Sequence, residues 1–211
     1  MKKILILTVA LAAMNASAVL YTSGTLNSVI PDGDTNGWAN TITVPVQPGT
    51  MVDDSLSVIL NLSGGWNGDL YAYLVHDTGF TELLNRVGTG VGGAGTFGYG
   101  DSGMNVTLSG TGSSIHLYGG TSTFSGVPSG PYMADGTGMV SFNGLDPSGT
   151  WTLFIADLNG GGVTTVQSWG LQMDIVAVPE IETWIAAALA GAFGAFWLNR
   201  QIWSGVVKVK A

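Results

Sequence analysis

The chain has 211 residues, no cysteine, and 14 acidic against 6 basic residues, which gives a formal net charge of −8. Only Arg86 is basic between residues 19 and 178, so nucleic acid is excluded as an expected partner because phosphates need Lys and Arg to neutralise them. An exported body without cysteine has no disulfides and is stabilised by its own core, which a single domain of this length can supply.

Residues 1–18, MKKILILTVALAAMNASA, predict a secretory signal peptide. Lys2 and Lys3 give a positive start, residues 4–13 are apolar, and Ala16-Ser17-Ala18 forms a small-residue cleavage site. The apolar run is short for a transmembrane helix. We therefore expect export, with a mature chain that begins at Val19.

The stretch PDGDTNGW, residues 31–38, leaves two interpretations open. Asp32, Asp34 and Asn36 alternate ahead of Gly37, as at the start of an EF-hand calcium loop. However, position twelve of that loop is Thr43 rather than an acidic ligand, and the flanking residues are strand-like. The preferred prediction is a β-turn in which Asx side chains bond to their own backbone, and calcium at Asp32, Asp34 and Asn36 is the weaker alternative.

Residues 19–178 read as an all-β body, because short runs of β-branched, aromatic and aliphatic residues alternate with Gly, Ser, Asn and Asp. The predicted strands are 39–46, 55–62, 69–77, 149–157 and 168–176. In the first, Ile42, Val44 and Val46 share one face, and the run 69–77 is apolar on both faces, which indicates a central strand. Gly-rich loops are predicted at 87–103 and 119–138. The pattern predicts a two-sheet β-sandwich.

Four tryptophans have predicted roles. Trp151 and Trp169 are expected to anchor the core. Trp38 and Trp66 stand beside glycines in predicted loops, where carbohydrate stacking is an alternative to packing at the core or its rim.

The letters GDSG, residues 100–103, also surround the nucleophile of chymotrypsin-like proteases. A serine nucleophile needs a histidine base and a carboxylate that orients it. The two histidines, His76 and His116, lie in no protease-like local motif, so we interpret residues 100–103 as a turn. No zinc spacing or phosphate-binding loop is present in the sequence either, and we expect no catalytic residues and no cofactor.

The body resembles the P domain, a β-sandwich that follows the catalytic domain of subtilisin-like proprotein convertases and occurs in many bacterial exported proteins. The likeness is carried by WNGDLYAYLV at 66–75, DPSGTWTLFIAD at 146–157 and the later SWGL. It covers about residues 27–176. The resemblance implies a jelly-roll-like sandwich, and it implies no function by itself.

Residues 179–211 differ in composition from the all-β body that precedes them. WIAAALAGAFGAFWL, residues 184–198, is uncharged and apolar, and it predicts one C-terminal transmembrane helix, although fifteen residues are short for a bilayer. Arg200, Lys208 and Lys210 follow, which places the basic tail 199–211 in the cytoplasm and makes Arg200 the membrane stop.

Val178-Pro179-Glu180, the short apolar helix and Arg200 together resemble a PEP-CTERM sorting tail, with Ile181 where that family usually has a second proline. The resemblance implies Val178, Pro179 and Glu180 as the sorting motif and an exosortase-type membrane enzyme as partner. It also implies an inner-membrane stage before processing, and association with exopolysaccharide or another envelope component.

The sequence thus predicts an exported, non-catalytic surface or matrix protein with a binding or structural role in the envelope or biofilm. An accessory P-like domain that acts with a separate subtilisin-like serine protease is the second hypothesis, and a free-standing enzyme is the third.

Overall fold

The computed structural model describes residues 17–90, 95–119, 131–177, 188–197 and 199–200. The chain divides into two compact units, Met1–Val176 and Ala177–Ala211. The described part of the first unit is built from strands and three short 3-10 turns, Asn67–Asp69, Ile115–Leu117 and Gly138–Phe142. In the second unit, residues 188–197 and 199–200 are helical. Among the described residues, no helix is long and apolar enough to span a membrane.

The strands of the described residues form two sheets, sheet A with eight strands and sheet B with four. They are β1 Ser17–Thr22, β2 Ser28–Val29, β3 Trp38–Val44, β4 Thr50–Val52, β5 Ser57–Gly64, β6 Leu70–His76, β7 Gly79–Asn85, β8 Met104–Ser109, β9 Ser113–Ser114, β10 Tyr132–Met133, β11 Gly149–Asp157 and β12 Thr164–Ala177. Sheet A runs β1-β12-β5-β8-β10-β9, with β2 and β4 also paired to β12, and sheet B runs β3-β11-β6-β7.

One hydrophobic core lies between the inner faces of the two sheets. Sheet A contributes Val58, Leu60, Leu171 and Met173, and sheet B contributes Leu70, Leu74, Leu153 and Ile155, all of them buried. Buried and more exposed residues alternate along β6 and along most of β5 and β11, as expected for strands that have one face in a core. The prediction of a two-sheet β-sandwich is therefore confirmed at the level of its architecture.

Several strand predictions agree closely with the structure. β11 has the predicted bounds 149–157, and β6 lies between β11 and β7, as its apolar character on both faces indicated. Trp151 and Trp169 are both buried in the core.

Other predictions need correction. β3 ends at Val44, and Val46, which was predicted to face the core, is 80% exposed. Residues 47–49 lead into a turn, so the strand ends before Val46 and Val46 does not pair with β11. The predicted loop 119–138 contains β10, which pairs in parallel with β8 and β9.

The ends of the chain lie largely outside the described residues. Of the predicted signal peptide, only Ser17 and Ala18 are described, and they pair in β1 with Ile175 and Asp174. The signal peptide stays a prediction. The sorting motif Val178-Pro179-Glu180 falls entirely outside the described residues, and Arg200 is described as an exposed helical residue.

Candidate functional site

The turn at residues 31–38 directs its polar side chains to different partners. Asp34 Oδ1 accepts hydrogen bonds from the backbone N and the Nδ2 of Asn36, both at 2.9 Å. Asp32 instead accepts a bond from the Gly161 amide, at 3.0 Å to Oδ1 and 3.1 Å to Oδ2. The Asp34 bonds form an Asx turn, as expected. No group of three His, Cys, Asp or Glu side chains that could hold a metal ion is found in the described residues, and calcium at this turn stays a prediction.

His76 is held inside the sandwich by two backbone carbonyls. Its Nδ1 lies 3.0 Å from the Thr150 oxygen and its Nε2 lies 2.7 Å from the Asp146 oxygen. The buried imidazole stacks on the Trp151 indole, with ring centroids 4.0 Å apart and planes at 8°. Both nitrogens are thus engaged with acceptors, and His76 holds β6 against the turn that precedes β11.

His116 is paired with an acid in a way that superficially resembles two members of a catalytic triad. Its Nε2 lies 2.7 Å from Asp135 Oδ1, and its Nδ1 accepts a hydrogen bond of 3.0 Å from the Gly88 amide. The nitrogen that would have to activate a nucleophile is therefore occupied by a backbone donor. Burial raises the pKa of Asp135, and the neighbouring His116 acts in the opposite direction. The pair links the 3-10 turn Ile115–Leu117 to the segment after β10, and the Gly88 amide connects His116 to the loop after β7.

A buried polar group lies at one end of the sandwich, where the Asp69, Arg86 and Asp157 side chains come together. Asn159 Nδ2 donates to Asp69 Oδ1 at 2.7 Å, and Arg86 Nη1 lies 4.0 Å from that same oxygen. Burial raises the pKa of Asp157, nearby Asp69 and Asp32 raise it further, and Arg86 and the Asn159 amide lower it. One guanidinium thus stands among two buried carboxylates.

Six buried side-chain atoms make no hydrogen bond with the described part of the chain: Asn67 Oδ1, Asp69 Oδ2, Arg86 Nη1, Tyr99 OH, Asp157 Oδ2 and Thr164 Oγ1. Three of them belong to the Asp69–Arg86–Asp157 group. Buried polar atoms of this kind usually bond to ordered water in proteins. We interpret the group as a polar, hydrated part of the interior.

Trp66 and Trp38 differ in their surroundings. Trp66 is 43% exposed, and its indole lies against the Gly-rich loop after β11, where a Cβ on Gly161 would come within 3.0 Å of the ring. Trp38 is half-buried and packs against the core. The packing interpretation is thus correct for Trp38, and Trp66 lies at the rim.

The outer face of sheet B carries a row of aromatic rings that contact one another. Tyr73 of β6 stacks on Phe154 of β11, with ring centroids 4.6 Å apart. On the other side of β6, the Phe80 ring of β7 lies 5.3 Å from the Tyr73 ring. Tyr71 donates to Glu82 Oε1 at 2.9 Å, and burial together with Glu82 raises the pKa of Tyr71 to about 12. Such cross-strand pairs stabilise a sheet. Phe80, at 48% exposure, is the member most open to solvent.

The outer face of sheet A is different, because its side chains are mainly hydroxyls and amides. The register places three rows across β12, β5 and β8: Gln172, Ser57 and Ser109; Gly170, Ile59 and Thr107; Ser168, Asn61 and Asn105. None of these nine residues is charged. The chain as a whole is only 9% charged, and these three rows are uncharged throughout.

A cleft of about 540 Å³ lies over this face. Its lining includes Asp54, Ser57, Asn105, Thr107, Tyr132 and Gln172. Within the described residues, the side chains of Asp54, Asn105, Thr107 and Gln172 make no hydrogen bond. The cleft therefore combines the size of a small-molecule site with unpaired donors and acceptors, and none of the described residues that line it is basic. No pattern in the sequence indicated this cleft.

No protein-family model matches the chain, and no curated protein matches it. Among solved structures, the chain is similar to the serine protease of Aeromonas sobria in complex with its chaperone, with 12% identity and a TM-score of 0.46 over 77% of this chain and 27% of that one. A second structure of that serine protease gives 13% identity and a TM-score of 0.44, over 79% of this chain and 28% of that one. The chain thus spans about a quarter of the proteins it matches, and likeness at this level supports no argument about function.

Proposed function

We propose that this protein is an exported, non-catalytic surface or matrix protein that acts by binding. The observation that carries the binding role is the cleft on sheet A, where the Asn105, Thr107 and Gln172 side chains have no hydrogen-bond partner among the described residues. Export and sorting rest on the signal-like residues 1–18 and on the resemblance of residues 178–200 to a PEP-CTERM tail.

The contacts of the two histidines support a non-catalytic role. Hydrolysis by Ser102 would need an imidazole with a free nitrogen directed at its hydroxyl. His76 faces two carbonyl oxygens, and His116 faces Asp135 and the Gly88 amide. Neither ring offers that nitrogen.

The test of the non-catalytic role is turnover by the purified full-length protein. We expect no hydrolysis of chromogenic peptide or ester substrates above the rate of a heat-denatured sample. Hydrolysis that disappears in Ser102→Ala, and that persists in Asn143→Ala, an exposed variant outside the cleft, would refute this part of the proposal.

A second candidate function is that of an accessory domain for a separate subtilisin-like serine protease. It is favoured by the apolar edge of sheet B, where Phe80 and Val140 are exposed and Ser141 Oγ bonds to the Phe80 carbonyl at 2.7 Å. Co-elution of the chain with such a protease, lost in Phe80→Ser and kept in Thr41→Ser on the far strand, would support it. Separate elution of the two proteins would exclude it.

A further inference from the structure

The cleft on the outer face of sheet A has side chains that suit only some kinds of ligand. A side-chain amide offers both donors and an acceptor, and a hydroxyl offers one donor and two acceptor positions. Asn105 and Thr107 on β8 and Gln172 on β12 bring these groups to either side of β5, and their side chains have no partner among the described residues. A ligand that suits them must both donate and accept at many closely spaced points.

The charge of the residues that line the cleft further limits the class of ligand. Phosphate, sulfate and carboxylate ligands are bound mainly by Arg, Lys and helix N-termini. The cleft has none of these features in its described lining, and its one charged residue, Asp54, is acidic and exposed. An anionic ligand would be repelled by Asp54, whereas a neutral polyol can donate a hydroxyl to that carboxylate.

The shape of the face favours a chain rather than a single small molecule. The three uncharged rows follow one another along β5, at Ser57, Ile59 and Asn61. In the last row, Asn61 pairs with both Ser168 and Asn105. At about 3.3 Å per residue, positions 57 to 61 span about 13 Å. In the middle row, Gly170 is buried beneath β1, with Leu20 and Thr22 side-chain atoms 3.5 and 3.6 Å from its Cβ position, so Ile59 and Thr107 form the accessible part of this row.

From these observations we infer that the outer face of sheet A binds a neutral polysaccharide, with Asn105, Thr107, Gln172 and Asp54 as its hydrogen-bonding residues. The inference deepens the proposed binding role and rests on it. Tyr132 borders the cleft, and its ring packs edge-on against Tyr118, with centroids 5.4 Å apart. This contact holds the β10 side of the cleft in place.

The test is affinity electrophoresis of the full-length protein in gels that contain dextran, a neutral galactan, alginate or chitosan, in a detergent without sugar headgroups. We expect retardation in at least one of the neutral gels and none in alginate, which is anionic. Retardation in alginate or chitosan alone, or in none of the four gels, would overturn the inference.

Variants locate the site. Asn105→Ala combined with Gln172→Ala should weaken binding at least 10-fold, and Thr107→Lys should abolish it by placing a long charged side chain in the middle row. Thr41→Ala and Asn143→Ala, which are exposed outside the cleft, are the matched controls and should bind like the wild type. Equal weakening in cleft variants and controls would contradict the site, and thermal melts check that each variant is folded.

The results also separate this inference from the proposed function. Loss of neutral-polysaccharide binding in the gels, with a chain that is exported and shows no turnover, would overturn the inference alone. Hydrolysis of substrate that depends on Ser102 would overturn the non-catalytic role and leave the binding measurement unaffected.

Discussion

Trp151 is the largest fully buried side chain of sheet B, and its contacts explain why the core depends on it. Its indole stacks on His76, lies 5.2 Å from the Phe142 ring and donates from Nε1 to the Pro147 carbonyl at 2.9 Å. The indole therefore joins β6, the turn before β11 and the 3-10 turn Gly138–Phe142.

We expect Trp151→Ala to lower the free energy of unfolding by about 3–5 kcal/mol, because a large cavity forms and a buried carbonyl loses its donor. Urea denaturation followed by fluorescence of the remaining tryptophans measures this. Thr152→Ala, on the outer face of the same strand, is the control and should cost far less. A Trp151→Ala midpoint equal to that of the wild type would show that the indole does not fill the core.

At the buried group, Asp157 has the environment least suited to a negative charge. It is fully buried, its pKa is raised chiefly by burial, and Asp69 and Asp32 lie nearby. The protonated form is therefore favoured more in the folded than in the unfolded chain. By linkage, the stability that Asp157 contributes is present below its unfolded pKa, near 3.8, and is lost as the pH rises through the raised folded pKa.

Asp157→Asn should therefore stabilise the protein relative to the wild type near neutral pH, and this advantage should shrink as the pH falls towards the unfolded pKa. Urea midpoints measured between pH 4 and pH 8 test the trend. Asp54→Asn, an exposed acid, is the control and should show a much flatter difference. The stability difference between Asp157→Asn and the wild type could instead be less favourable to the variant at pH 7 than at pH 4. That result would mean that the effect of Arg86 on the pKa of Asp157 outweighs the effect of burial.

At the scale of single elements, the conformation of the turn 31–38 depends on a glycine. Gly37 has φ of +60°, and a Cβ there would lie 2.6 Å from the Ile155 carbonyl oxygen and 2.7 Å from the Phe154 ring. The turn thus passes directly against β11 and beneath the aromatic row of sheet B. Gly49 has a similar φ of +67° with nothing within 4 Å.

Gly37→Ala should be clearly more destabilising than Gly49→Ala. Both variants place a Cβ in left-handed backbone, which costs about 1–2 kcal/mol, but only Gly37→Ala also collides with the backbone and a ring. Thermal melts of the two proteins give the comparison directly. Equal losses of stability would mean that the turn moves away from β11 without cost.

The same turn gives the calcium prediction. Because Asp34 and Asn36 bond to each other and Asp32 bonds to Gly161, millimolar calcium should scarcely change the melting temperature. A ligand at 100 times its dissociation constant would add about 2.7 kcal/mol. A clear rise with calcium that is abolished by Asp32→Ala together with Asp34→Ala would establish a site there.

How far the sequence predicted the elements depends on how regular their alternation is. In β11, Trp151, Leu153 and Ile155 recur at every second position, and both bounds were predicted. β7 was missed as a strand because a bulge opposite residues 72–73 of β6 breaks its period, so that Leu83 and Leu84 are both buried. β8 was missed although Met104, Val106 and Leu108 alternate regularly along it.

The candidate site was harder to predict than the fold. The cleft brings together Ser57, Asn105 and Gln172, which are far apart in sequence, and polar residues on the outer face of a strand have no pattern that marks them as a site. The Asp69–Arg86–Asp157 group is equally dispersed along the chain. Only the sheet order and the register bring such residues side by side.

At the scale of the whole molecule, the strand pairing determines which terminal residues can be cleaved off while sheet A stays paired. A cut after Ala18 removes Ser17 and Ala18 from β1 but leaves Val19 to Thr22 paired with Met173 to Gly170. At the other end, β12 ends at Ala177, one residue before the predicted sorting motif begins. Both predicted cuts therefore leave sheet A paired along β12.

We expect mass spectrometry of the surface-exposed protein to find a mature chain that starts at Val19 and ends close to Pro179, without the Trp184–Leu198 segment. The proposed route is translocation from the signal peptide, a stop at the apolar segment with Arg200 inside, and cleavage near Val178-Pro179 by an exosortase-type enzyme. The rival is a permanent anchor, whose mismatch with the bilayer costs only fractions of a kcal/mol per Å. A strain without the sorting enzyme is the control and should retain peptides that contain Arg200. If those peptides also persist on the mature surface protein of the parent strain, the anchor is correct and the sorting proposal is wrong.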